Sequence, residues 1–129
     1  MSERESLVLV VDDEVHILHV VSMKLRNAGY TVITAEDGEE ALELAVSRSP
    51  DLIITDYQMP YMTGLELCMA LKKHATTRHM PAIMLTARGF NLAREYLDQT
   101  NIAGVLSKPF SPREILTRVQ ELIGTKAST

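Results

Sequence analysis

The sequence predicts a doubly wound α/β domain: a parallel sheet with helices on both faces. Three observations lead there. Apolar, β-branched runs alternate with segments of helical period, five times along 129 residues. The first strand candidate, LVLVV, is apolar throughout, as a strand covered on both faces is. Each pair of consecutive strands is separated by enough chain for a helix, which suits parallel pairing through right-handed crossovers.

The elements follow in order. LVLVV (7–11) is the first strand. From Glu14 to Ala28, the residues Leu18, Val21, Leu25 and Ala28 fall at steps of three and four and line one face of a helix. Gly29 is its C′ residue. TVITA (31–35) is the second strand. Asp37 is the N-cap of a helix carrying Ala41, Leu42, Ala45 and Val46, which Pro50 stops. LIIT (52–55) is a third strand with Asp56 at its end. Thr63 and Glu66 have the spacing of a capping box, and Leu67, Cys68 and Leu71 give that helix its inner face. AIML (82–85) is the fourth strand, ending at Thr86. A fourth helix is expected at about 92–99, carrying Ala93, Tyr96 and Leu97. GVLS (104–107) is the fifth strand, followed by Lys108. Ser111-Pro112-Arg113-Glu114 then starts the last helix, with Ser at N-cap, Pro at N1 and Glu at N3. Ile115, Leu116, Val119, Leu122 and Ile123 form its stripe, and Gly124 ends it.

Composition narrows the function. Length gives one domain, large enough for a full core. A net charge of −4 disfavours direct nucleic-acid binding. The lone Cys68 allows no intrachain disulfide and reads as a small core residue. The polar start MSERES lacks a signal peptide's apolar segment, and no apolar run is long enough to span a membrane. A reduced, cytoplasmic protein is expected. No GxGxxG or GxxxxGK[ST] phosphate loop is present. His16 and His19, off the apolar stripe of the first helix, read as a solvated face, and His74 and His79 show no partner.

The polar residues collect at one edge. In a parallel sheet every C-terminal strand end lies on the same rim, where ligands bind at the switch point in strand order. The first strand ends in Asp12-Asp13, the third in Asp56, the fourth in Thr86 and the fifth in Lys108. Adjacent carboxylates repel each other. Three at one rim form a hard-oxygen site suited to Mg²⁺, which offsets that repulsion. A lysine and a hydroxyl at the same place add a cation and a donor for a phosphoryl group. Together these point to phosphoryl transfer onto an aspartate.

VVDDE at the first strand, IITDYQMPYMTG at the third, MLTAR at the fourth and LSKPF at the fifth occur in this order, each with a strand before it and a helix after. With these motifs the chain resembles the receiver domain of two-component response regulators, of the single-receiver chemotaxis type, over residues 5–124. Residues 1–4 and 125–129 are expected as flexible termini. The resemblance implies a flavodoxin-like sheet of five parallel strands in the order 2-1-3-4-5. It implies that Asp56 accepts a phosphoryl group from a histidine kinase or histidine phosphotransfer protein. It implies Mg²⁺ as cofactor, held by Asp12, Asp13, Asp56 and the backbone carbonyl of Gln58. Thr86 and Lys108 would contact the phosphoryl oxygens, and the Lys108–Pro109 bond would be cis. Phosphorylation would switch the face between the fourth strand and the last helix toward an unidentified protein target, with the domain a monomer or weak dimer. One departure stands out: where the family often has a Tyr or Phe on the fifth strand, this chain has Val105, which has no ring to rotate. The resemblance implies that variable positions such as Gln58 and Arg88 would tune adduct lifetime. Phe90 and Leu92 read either as a partner surface or as part of a loosely packed helix.

Other functions are weighed against this. A phosphorylation-independent interaction module of the same fold would be marked by loss of Asp56, an acidic partner or Lys108, and all are present. A hydrolase with an aspartate nucleophile normally has a second acid two residues on, where this chain has Gln58. An enzyme is therefore not expected. A flavin site is disfavoured because the acids after the first strand would repel a phosphate.

Overall fold

The strands form because their residues are β-branched or apolar and have somewhere to go on both sides. The computed structural model describes residues 6–87 and 98–124. Its elements are β1 (Leu7–Val11), α1 (Val15–Asn27), β2 (Thr31–Ala35), α2 (Gly38–Arg48), β3 (Leu52–Asp56), α3 (Gly64–Lys72), β4 (Ala82–Thr86), β5 (Ile102–Ser107) and α4 (Pro112–Ile123). The helix expected at about 92–99 falls almost wholly outside the described residues, as do Arg88, Phe90 and Leu92.

The sheet has the order β2-β1-β3-β4-β5, with every neighbouring pair parallel. Alternation along the central strands splits the core in two. Val8, Val10, Leu52, Ile54, Ile83 and Leu85 face α1 and α4, meeting Leu18, Val21, Leu25, Ile115 and Val119. Leu9, Val11, Ile53, Ala82 and Met84 face α2 and α3, meeting Ala41, Ala45, Leu67, Cys68 and Leu71. Val105 packs against this second cluster.

The helix ends follow local chemistry. Asp37 accepts a bond from the Glu40 N–H at the start of α2. Thr63 with Glu66, and Ser111 with Glu114, form reciprocal capping boxes, and Pro112 opens α4. Gly29 takes a φ of 101° just past α1, the left-handed region that a glycine enters without cost. β3 runs one residue further than expected, to Asp56, and β5 begins at Ile102 rather than Gly104. The second difference has a physical reason: Ile102 pairs with Ala82, but Ile83 pairs with Gly104, so Ala103 is an extra residue that shifts the register.

Candidate functional site

Register builds the site. β1 and β3 lie side by side, with Val11 opposite Thr55, so the next residues, Asp12 and Asp56, emerge together at the rim. This is where the strand order reverses, the crevice that α/β sheets use for ligands. Asp12 is fully buried and Asp56 is 5% exposed, while Asp13 is exposed. Carboxylate oxygens of Asp12, Asp13 and Asp56 all lie within 4.8 Å of one another. The Asp12 Oδ1 accepts the Glu14 N–H at 2.9 Å, which fixes its rotamer.

β4 and β5 supply the other two groups. The Lys108 N–H donates to the Thr86 carbonyl at 2.7 Å, anchoring Lys108 just past β5, and the Lys108–Pro109 bond is cis. The Lys108 Nζ lies 3.3 Å from Asp12 Oδ2, 3.2 Å from Asp56 Oδ1 and 3.2 Å from Glu14 Oε1. Thr86 is fully buried, and its Oγ1 has no hydrogen-bond partner. Buried hydroxyls are rarely left so, and a functional contact is one explanation.

The loop after β3 is held close. The Gly64 N–H donates to the Tyr57 carbonyl at 2.8 Å. A Cβ on Gly64 would collide with the Asp56 carbonyl oxygen and press on Met84 Sδ. Only glycine lets α3 start this near the Asp56 backbone. Gln58 and Asp13 line one open cleft of about 500 Å³ with Tyr57, Met59, Pro60 and Thr63.

The electrostatics are unfinished. Burial, reinforced by the Asp56 charge, pushes Asp12 up to about 6, against the opposing pull of the Glu14 N–H and Lys108. Burial also raises Asp56, helped by the charges of Asp13 and Glu14 and opposed by Lys108. Burial works to lower Lys108, but Asp12 and Asp56 outweigh it and hold it above its ordinary value. Three acids thus crowd one lysine, with Asp13 beside two of them. A hard-oxygen donor set with this charge deficit fits a divalent cation such as Mg²⁺: Asp13 belongs both to the carboxylate triad with Asp12 and Asp56 and to the cleft lined by Gln58.

Every predicted site residue, Asp12, Asp13, Asp56, Gln58, Thr86 and Lys108, comes to this rim. Sequence reasoning missed the ion pair from Glu14 to Lys108; the one available signal was its place directly after the two aspartates. His16, His19, His74 and His79 are exposed. Cys68 is buried, and burial pushes its thiol up to about 12, as for a core residue.

Comparison with known proteins agrees with this geometry. Residues 8–120 match the family described as the response regulator receiver domain. The chain belongs to that family. It is 39% identical over 116 residues to the alkaline phosphatase synthesis transcriptional regulatory protein PhoP of Bacillus subtilis, covering 90% of this chain and 48% of the relative. It is 34% identical over 116 residues to the phosphate regulon transcriptional regulatory protein PhoB of Escherichia coli, covering 90% and 51%. The chain therefore spans about half the length of these curated relatives. Among solved structures, the chemotaxis response regulator CheY4 of Vibrio cholerae superposes with a TM-score of 0.85 at 37% identity, covering 93% of this chain and all 100% of that one. The receiver domain of the sensor histidine kinase PA1611 from Pseudomonas aeruginosa superposes with a TM-score of 0.82 at 29% identity, covering 95% and 100%, and holds a coordinated magnesium ion in its active-site cleft. Among the described residues, no helix is long and apolar enough to cross a membrane.

Proposed function

We propose that this receiver domain takes a phosphoryl group onto Asp56 from a phosphohistidine of a kinase or phosphotransfer protein, with Mg²⁺ held by Asp12, Asp13, Asp56 and the Gln58 carbonyl. The observation that carries the reading is one buried carboxylate, Asp56, 3.2 Å from Lys108, one position short of a buried threonine hydroxyl with no partner on the neighbouring strand. The magnesium-bound receiver of PA1611 supports the cation.

The chain's own groups divide the work. An Asp56 carboxylate oxygen attacks phosphorus; the P–N bond to the donor imidazole breaks, and its electron pair leaves with the ring nitrogen. Asp56 must be ionised to attack, and burial opposes that. Lys108 counters burial with its charge and then faces the oxygens of the transferred group. The bound cation supplies the remaining positive charge that lets carboxylates and phosphoryl oxygens share one small space. Thr86 donates its hydroxyl to the phosphoryl group, which draws the end of β4 inward. Val105 has no ring to follow, so the change is carried by the main chain and packing between β4 and α4. That face then meets a protein target. Repeated turnover of small phosphate esters is not part of the reading, since Gln58 stands where a general acid would. The setting is the cytoplasm, with the domain a monomer or weak dimer and in contact with neither membrane nor nucleic acid.

Incubation with Mg²⁺ and acetyl phosphate, followed by intact mass, tests this. One added phosphoryl group is expected, absent in Asp56→Asn and absent without Mg²⁺. If neither an adduct nor beryllofluoride binding is found, the domain works as a phosphorylation-independent interaction module.

A further inference from the structure

Glu14 holds an unusual post. It is the N-cap of α1, in extended backbone, yet its side chain makes no capping bond. The caps of α2, α3 and α4 all use their side chains on their own helix. The Glu14 carboxylate instead crosses to a residue 94 positions away, Lys108, at 3.2 Å. Helix N-caps favour short side chains that bond back to the first turn, so this placement forgoes a local stabilisation.

The lysine it reaches is fully engaged. An ammonium has three protons to donate, and Lys108 has three carboxylates, from Asp12, Glu14 and Asp56, at 3.2 to 3.3 Å. Two of these belong to the acidic triad and are buried; the third, Glu14, lies outside it and is 62% exposed. When a cation and a phosphoryl group join the triad, Asp12 and Asp56 acquire other partners for their charge. Glu14 does not. It stays as the carboxylate that competes with phosphoryl oxygens for Lys108.

We infer that Glu14 is a positioning residue that holds part of the Lys108 ammonium in competition with the phosphoryl oxygens, and so sets how tightly the phosphorylated state is held. The inference rests on the acceptor reading above. Its reach depends on length: Asp at this position is one methylene shorter and falls back to cap α1. The interaction is solvent-exposed on one side, so its release is worth a modest factor.

Beryllofluoride, a phosphoryl mimic, is titrated into the Mg²⁺-loaded protein and followed by ¹⁹F NMR. Glu14→Gln is expected to bind it about two- to five-fold tighter than wild type, the range of an exposed ion pair. Glu14→Asp is expected to match Gln although it keeps the charge. In a Lys108→Gln background the gain from Glu14→Gln disappears, because Glu14 acts only through that lysine. Raising salt shrinks the gain by screening the pair. Unchanged affinity in Glu14→Gln overturns this competition. A gain that survives in Lys108→Gln, or an Asp variant that behaves like wild type, also overturns it, since both mean a general field and not a contact. Wild type that fails to bind beryllofluoride overturns the inference, and if it also takes up no phosphoryl group the acceptor reading falls as well.

Discussion

The interior of β3 and its C-terminal tip lie in one continuous strand and have opposite energetics. Ile53 and Ile54 are fully buried among other apolar side chains. Asp56, two positions further on, is nearly as buried but sits among like charges. Apolar burial stabilises by about 25 cal/mol per Å², whereas burial of a carboxylate costs free energy unless it is paired. The strand body therefore makes the fold, and the strand tip draws on it. The same contrast holds for β1, where Val10 and Val11 give way to Asp12.

The largest effect tests the body. Ile54→Ala removes a fully buried side chain from the cluster under α1 and α4. A loss of about 2 to 5 kcal/mol is expected in urea denaturation, the range for large-to-small changes in a packed core. A loss below about 1 kcal/mol would mean that this side of the sheet repacks freely, and the contrast with the rim would weaken.

At the rim the sign should reverse. Asp12 has its pKa raised in the fold, from 3.8 to about 6, so the folded chain holds that proton more firmly than the unfolded one. Metal-free stability is then greatest below about pH 4 for this group and falls as pH rises through 6. Asp12→Asn removes the penalty and keeps an oxygen for the Glu14 N–H. At pH 7 without metal it should gain on the order of 1 to 3 kcal/mol, from a net shift of roughly two units that already includes the pairing with Lys108. Saturating Mg²⁺ should stabilise wild type more than the variant and close or invert the gap. A thermal melt at pH 4 and pH 7, with and without Mg²⁺, reads all four conditions. Destabilisation by Asp12→Asn at pH 7 without metal would show that Lys108 already neutralises the cluster.

What could be read from the sequence divides along the same line. Strand bodies, helix stripes and caps were legible because period, β-branching and Ser/Thr/Asp caps are local signals; Thr63–Glu66 and Ser111–Glu114 are cases where spacing alone sufficed. The site residues were legible because parallel topology brings every strand end to one edge. Three features depend on more than a local signal. The extra residue at Ala103 depends on how β5 meets β4. The Glu14–Lys108 pair depends on two side-chain conformations far apart in sequence. The third is the backbone at Tyr61.

Tyr61 gives the smallest of these effects. It has a φ of 71°, and the Met62 N–H bonds back to the Pro60 carbonyl at 2.8 Å, which makes Tyr61 the centre of a γ-turn. A bulky side chain at positive φ is strained, typically by about 1 to 3 kcal/mol. Its ring is 100% exposed, so no burial offsets that strain. The neighbouring Met62 explains why the turn persists: it packs so closely on Gly38 that a Cβ there would strike its Sδ at 2.8 Å, pinning the loop to α2. Tyr61→Gly relieves the strain but loosens the unfolded chain, which costs somewhat under 1 kcal/mol. A net gain of about 1 kcal/mol is expected, with phosphoryl uptake on Asp56 unchanged in rate by intact mass. A loss of stability would mean that the loop relies on tyrosine's stiffness, and the rim's strain would then be confined to its charges.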